Sequence, residues 1–261
     1  MALSTYFTLI LLVSCPFLNS GDIAAQTRKS VSITYTGNMG ILISNDKTAV
    51  WIDGLHEFYG PDYLNPPDTI LEKAFEKKDI FKALQWLLFT HYHRDHYSAN
   101  LVKRFLKLNP HHKVAGAPQV IDSFSARYII NAWNRNSVIL KDTSFSLQVK
   151  AFNIPHTWPQ RHTKVQNIAY LVELNKIRIL HVGDADADPE AFSRVQSESV
   201  DVMIVPSWFL ENENAKKIIG QLHPKKIIIT HIAPGEKLKR SMGIKNADTI
   251  LFDEISQSIS L

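Results

Sequence analysis

The chain has 261 residues, 45% of them hydrophobic, a formal net charge of +4 and one cysteine. That is enough to bury a full core as one large domain or two small halves, and a single cysteine excludes an internal disulfide. No aromatic-interleaved basic stripe marks a nucleic-acid binder; the local clusters Lys103, Arg104, Lys107 and Lys225, Lys226, Lys237, Lys239, Arg240 read as solvated faces.

Residues 6–18 form an apolar block, followed by small and polar residues through Ala25. It is too short for a comfortable membrane span and suits a signal-peptide core, although no Lys or Arg precedes it. Cleavage near Ala24-Ala25-Gln26 would leave residues 26–261 as one mature domain. Leu12-Val13-Ser14-Cys15 also resembles a bacterial lipoprotein box, so a lipid on Cys15 is the one membrane contact expected. Either route implies export to the periplasm or beyond.

Residues 31–35, 41–44 and 49–52 are short β-rich runs separated by turn formers, a predicted antiparallel meander ending at Asp53-Gly54. Residues 55–69, rich in Pro, Gly, Asp and aromatics, read as a loop, and 70–77 as a helix. The apolar run 84–89 reads as a buried strand. Residues 98–108 have helical spacing, with Leu101, Phe105 and Leu108 on one face and Asn109-Pro110 as a stop. A strand over 114–117 and a helix over 118–128 follow. The second half gives strands at 144–152, 168–174 and 177–182, a helix near 188–195, and a strand at 200–205. A helix over 211–222, a strand over 226–230 and a helical region after Gly235 complete it. Both halves pass from antiparallel strands to strand–helix alternation, which predicts an α/β fold: an αββα sandwich of two mixed sheets with helices on both outer faces.

Directly after the run 84–89, His91, His93, Asp95 and His96 fall within six residues. Folding asks for no such cluster, whereas neutral imidazole and carboxylate are ligands for Zn²⁺ and similar ions. His156, Asp184 and His231 each follow another predicted strand, and Asp53 ends the third. Loops at one edge of a sandwich converge, so a single edge can collect them. Five histidines and two aspartates exceed one metal's needs and suffice for two ions about 3.5–4 Å apart. His162 competes with His156, since both lie in one loop. His181, inside an apolar run, reads as a satisfied core histidine, and His56, His111, His112 and His223 read as surface residues.

The pattern His91-x-His93-x-Asp95-His96, followed by His156, Asp184 and His231, resembles the metallo-β-lactamase-fold hydrolase superfamily, from about Val31 to the C-terminus. The resemblance implies that His91, His93 and His156 hold a first ion and that Asp95, His96 and His231 hold a second. Asp184 would bridge them, Asp53 would orient a ligand loop, and Asp95 would double as the candidate catalytic carboxylate. Zn²⁺ is the first choice for two divalent cations, with Mn²⁺ or Fe open to an all-nitrogen-and-oxygen set. Cysteine, common in the second site of the zinc β-lactamases, is missing here. The chain after His231 is too short for a glyoxalase II-like helical domain, and no tRNA-processing arm is present. What the resemblance leaves is hydrolysis of a small ester, lactone or phosphodiester, with a non-catalytic metal-binding scaffold or a β-lactamase as the rival. Phe58, Tyr59, Tyr63, Trp158 and Trp208 fall in loops this fold places near the metal edge, to line an apolar pocket or to support packing. Arg94 stands there to meet an anionic substrate group or to pair with a carboxylate.

Overall fold

The opening β-rich runs form the expected meander, β1 (Ser32–Gly37), β2 (Gly40–Ser44) and β3 (Ala49–Ile52), antiparallel throughout. The structure is a computed structural model that describes Met1 and residues 30–124, 129–236 and 247–261. The expected leader, Cys15 included, lies outside the described residues apart from Met1.

From β3 the pairing switches to parallel, through β4 (Leu84–Leu88), β5 (Lys113–Gly116) and β6 (Ile129–Asn131). Between these strands come α1 (Asp68–Phe75), α2 (Ala99–Leu108) and α3 (Pro118–Ile121). The second half repeats the plan. β7 (Ser137–Asp142), β8 (Leu147–Asn153), β9 (Ile168–Leu174) and β10 (Ile177–His181) are antiparallel. β11 (Val202–Pro206), β12 (Lys226–Thr230) and β13 (Asp248–Leu251) continue in parallel. α4 (Pro189–Phe192) follows β10, and α5 (Glu213–Leu222) precedes β12. A last strand, β14 (Ser258–Ser260), crosses to pair antiparallel with β1. The result is two seven-stranded sheets, ordered β14-β1-β2-β3-β4-β5-β6 and β13-β12-β11-β10-β9-β8-β7.

Alternation along the strands builds three apolar layers. Ile33, Ile43, Val50, Ile52, Trp86 and Leu88 point inward to meet Val149, Tyr170, Val172 and Ile204 between the sheets. Their neighbours Leu42, Trp51 and Leu87 point outward to α1 and α2, while Leu171, Leu180, Met203 and Val205 pack against α4 and α5. Strands covered on both faces read as continuous apolar runs, which is why the central ones are plain in the sequence.

Four expectations need correction. The helix expected over 118–128 ends at Ile121 among the described residues, with β6 starting at Ile129. The strand expected at 144–152 is one arm of a hairpin whose other arm is β7. After Gly235 the described residues form β13 and β14 instead of a helix, because the β-branched Thr249-Ile250 run continues the sheet beside β12. α2 buries Val102 and Phe105, and Leu108 is exposed, so its inner face is turned from the one expected.

Candidate metal centre

Parallel strands deliver their C-terminal ends to one edge, and β3, β4, β8, β10 and β12 bring Asp53, residues 90–96, His156, Asp184 and His231 there. Two groups of donors form: His91, His93, His156 and Asp184 in one, and Asp95, His96 and His231 in the other, the donor atoms in each within 4.8 Å of one another. Asp184 faces both. Its Oδ2 lies 3.9 Å from His91 Nε2, 3.7 Å from His156 Nε2 and 3.8 Å from His231 Nε2, and its Oδ1 lies 3.3 Å from His96 Nε2. His162 stays outside the groups as a ring neighbour, 4.6 Å from His156 and 5.1 Å from His93 between centroids.

Partners behind the donors set their tautomers. Asp53 accepts from the Thr90 backbone N–H (2.8 Å), the Thr90 hydroxyl (2.6 Å) and His96 Nδ1–H (2.9 Å). Because the Thr90 hydroxyl proton goes to Asp53, its oxygen accepts from His91 Nδ1–H at 3.0 Å. His156 Nδ1–H donates to the Thr157 carbonyl at 2.8 Å. Each bond turns the other ring nitrogen to the centre. His96 Nε2, His156 Nε2 and Asp184 Oδ1 are buried there with no hydrogen-bond partner. Buried polar atoms without partners are costly; here they are the ones an ion would satisfy.

The electrostatics agree. Burial pushes His91 well below the usual imidazole value, and it lowers His156 and takes His93 to about 4, so these rings offer lone pairs. Burial also opposes charge on His96, but the Asp184 and Asp95 carboxylates overcome it and raise His96 well above its usual value. Burial opposes ionisation of Asp95 and Asp184 as well, yet the neighbouring histidines, His96 foremost, hold both carboxyls below the usual range. The pocket demands positive charge at its middle. An all-nitrogen-and-oxygen donor set of this kind fits divalent cations.

Several residues here were not singled out from the sequence. Asn38, at φ 48° in the β1–β2 turn, donates from Nδ2 to the Asp95 carbonyl (2.9 Å) and to Asp95 Oδ2 (3.2 Å), and its own carbonyl accepts from His231 N–H (3.1 Å). It reads as an ordinary turn residue until the fold brings the second group beside it. Asn167 donates to the Ile154 and Val182 carbonyls, tying the loops of His156 and Asp184 together. Gly183 sits at φ 61°, where a Cβ would lie 2.5 Å from Asn167 Oδ1 and 2.7 Å from Thr90 Cβ, so only glycine lets these loops close.

His181 is the satisfied core histidine expected: Nε2–H donates to the Met39 carbonyl and Nδ1 accepts from Gly183 N–H. His111 and His223 are exposed, as expected. His56 and His112 are not surface residues. The loop after Asp53 folds His56 inward, and His112 reaches back from the turn before β5 to donate to the Leu84 carbonyl at 2.7 Å. Arg94 has no carboxylate partner among the described residues; its guanidinium lies 5.9 Å from the Tyr59 ring centroid.

A family model described as the beta-lactamase superfamily domain matches residues 32–231. No curated protein matches the chain significantly. Among solved structures, Igni18, a novel metallo hydrolase from the archaeon Ignicoccus hospitalis, superposes with a TM-score of 0.63 at 14% identity, covering 89% of this chain and 98% of its own. The metallo-beta-lactamase fold protein YhfI from Bacillus subtilis gives 0.63 at 12% identity, covering 89% and 100%. CmlA, a diiron beta-hydroxylase from Streptomyces venezuelae, gives 0.61 at 12% identity, covering 89% of this chain and 54% of its own. At such identities the likeness is one of fold.

Proposed function

The chain belongs to the beta-lactamase superfamily, and on that premise we propose that it is a metal-dependent hydrolase with a dinuclear centre acting on a small ester, lactone or phosphodiester. The observation that carries this reading is the placement of Asp184, whose Oδ2 lies within 3.9 Å of donors from both groups and whose Oδ1 faces His96. His91, His93 and His156 would hold one cation, Asp95, His96 and His231 the other, and Asp184 both. When bound, such ions supply Lewis acidity and a water acidic enough to act as a nucleophile near neutral pH. The chain's own part is to hold the donors rigid. Asp53 and Thr90 keep the inner nitrogens of His96 and His91 pointing to the centre, and Asn38 holds the Asp95 carboxylate toward His231. Zn²⁺ is the first choice of cation, and Fe also suits these donors. The same proposal includes export of the mature domain after loss of residues 1–25.

The test is metal analysis of purified protein, then a panel of lactones, aryl esters, bis-aryl phosphates and a chromogenic cephalosporin. Two equivalents of metal are expected, with turnover abolished by chelator. Asp184→Asn is expected to lower bound metal to about one equivalent and turnover by about 10²-fold or more. Full turnover in that variant would refute the bridge. A metal-replete protein silent across the panel would favour the binding-scaffold alternative. N-terminal sequencing of protein recovered from a producing cell's exterior checks the processing site.

A further inference from the structure

A continuous run of rings crosses the second donor group through His231. Trp158 stacks on Trp208, with centroids 6.0 Å apart and planes at 24°. Trp208 sets its edge on His231 at 4.5 Å, Tyr63 meets the same imidazole at 5.5 Å, and Tyr59 meets Tyr63 at 4.9 Å. These rings come from three loops far apart in sequence that share only the centre they surround. The first of them is unusual in two respects.

Trp158 is 58% exposed, in a chain whose other large aromatics are mostly buried. Its backbone also sits at φ 48°, a region that bulky side chains avoid, immediately before Pro159, where extended backbone is preferred. The strain is imposed from outside. Thr157 N–H is tied to the Asp184 carbonyl, and the Trp158 carbonyl accepts from both Arg161 and His162 N–H groups. The turn therefore holds the indole out beside Trp208 whether or not the ring is comfortable there, and the ring gains little burial in return. Strain of this kind concentrates where a side chain is held ready for a ligand. Trp208 adds an indole Nε1–H shielded from solvent and without a partner.

We infer that Trp158, backed by Trp208, is a specificity-determining platform that receives a flat ring in the substrate, so that the preferred ester, lactone or phosphodiester carries a planar aromatic group. This rests on the proposed hydrolase reading for the identity of the scissile bond, but the recognition is measurable without turnover. An exposed indole face prefers a flat π-system over a saturated ring of equal size, because ring stacking adds to the burial that both share. Side chains lining a cleft with only casual exposure would show no such preference.

The experiment compares 2-naphthoate with decahydro-2-naphthoate, which share a carboxylate and a size and differ in flatness. Binding to the full-length, metal-loaded protein is followed by calorimetry. The wild type is expected to bind the planar acid roughly three- to tenfold more tightly. Trp158→Ala is expected to erase that ratio and Trp158→Phe to keep most of it, with metal content unchanged in both. Leu108→Ala, on the exposed side of α2, is the control and keeps the wild-type ratio. Equal binding of the two acids by the wild type, or a ratio surviving in Trp158→Ala, would overturn the inference. A protein that holds two ions and turns over the panel without preferring the planar acid would sink this inference alone. One that prefers the planar acid yet neither holds metal nor turns anything over would sink the hydrolase reading alone.

Discussion

Asp53→Asn is the most discriminating single change, because it alters charge and hydrogen bonding and almost nothing else. Asp53 is fully buried at φ 50°, a conformation asparagine adopts as readily as aspartate, so the backbone gains no strain. The carboxylate accepts three hydrogen bonds, one on Oδ1 and two on Oδ2. An amide cannot satisfy all three. With its oxygen at the Oδ2 position, the NH₂ faces the Thr90 backbone N–H and leaves a buried donor unpaired, at a cost of about 1–3 kcal/mol. With its oxygen at the Oδ1 position, the NH₂ faces His96 Nδ1, which must then give up its proton. The imidazole proton moves to Nε2 and points into the centre, where a lone pair is needed. Removing an outer partner of this kind typically lowers metal affinity roughly 10–100-fold, or about 1.4–2.7 kcal/mol. Titration with Zn²⁺ should therefore show one weakened binding event, that of the His96 group, beside one nearly unchanged, with circular dichroism reporting an intact fold. Two binding events at wild-type affinity would refute the claim that Asp53 sets the His96 tautomer.

Two further outcomes are expected. Asn38→Gly suits the φ of 48° but removes both side-chain bonds to Asp95, so affinity at the second group should fall about tenfold while the first group is spared; unchanged binding of both ions would deny Asn38 a positioning role. Metal-stripped protein should lose stability as pH falls from about 6.5 to 4, read as a falling urea midpoint. Burial holds His56 and His93 at about 4, so the unfolded chain takes up protons that the folded chain refuses. For His56, a fall from 6.5 to about 4 corresponds to roughly 3 kcal/mol. His96 acts in the opposite sense, since its raised value keeps its contribution whole below pH 6.5 and loses it as pH rises through the folded value above that. His56→Asn should flatten the acid slope, and a midpoint independent of pH would contradict the assigned burial.

The donor set was legible because three histidines and an aspartate in six residues serve no packing purpose, and because each later candidate follows a run that reads as a strand. What escaped is what depends on distant partners. Asn38 acts on a residue 57 positions away and Asn167 on loops 13 and 15 positions away, and neither side chain differs in type from any turn asparagine. The strands that escaped, β6, β7, β13 and β14, lie partly exposed at sheet edges, so neither a long apolar run nor clean alternation marks them. His56 escaped because burial of a loop histidine is decided by how the loop folds, which local composition does not record.

The crossing of β14 to β1 has a consequence for how the molecule comes into being. Leu261 and Val31 exchange a pair of backbone hydrogen bonds, so the earliest strand of the first sheet takes its outer neighbour from beyond the whole of the second sheet. Until β14 arrives the β1 edge offers unpaired amides and carbonyls to any passing strand. A chain folding in order of synthesis therefore keeps its first sheet open along one side while the second is built, and the short β14 decides whether that side is sealed from within or by a stranger.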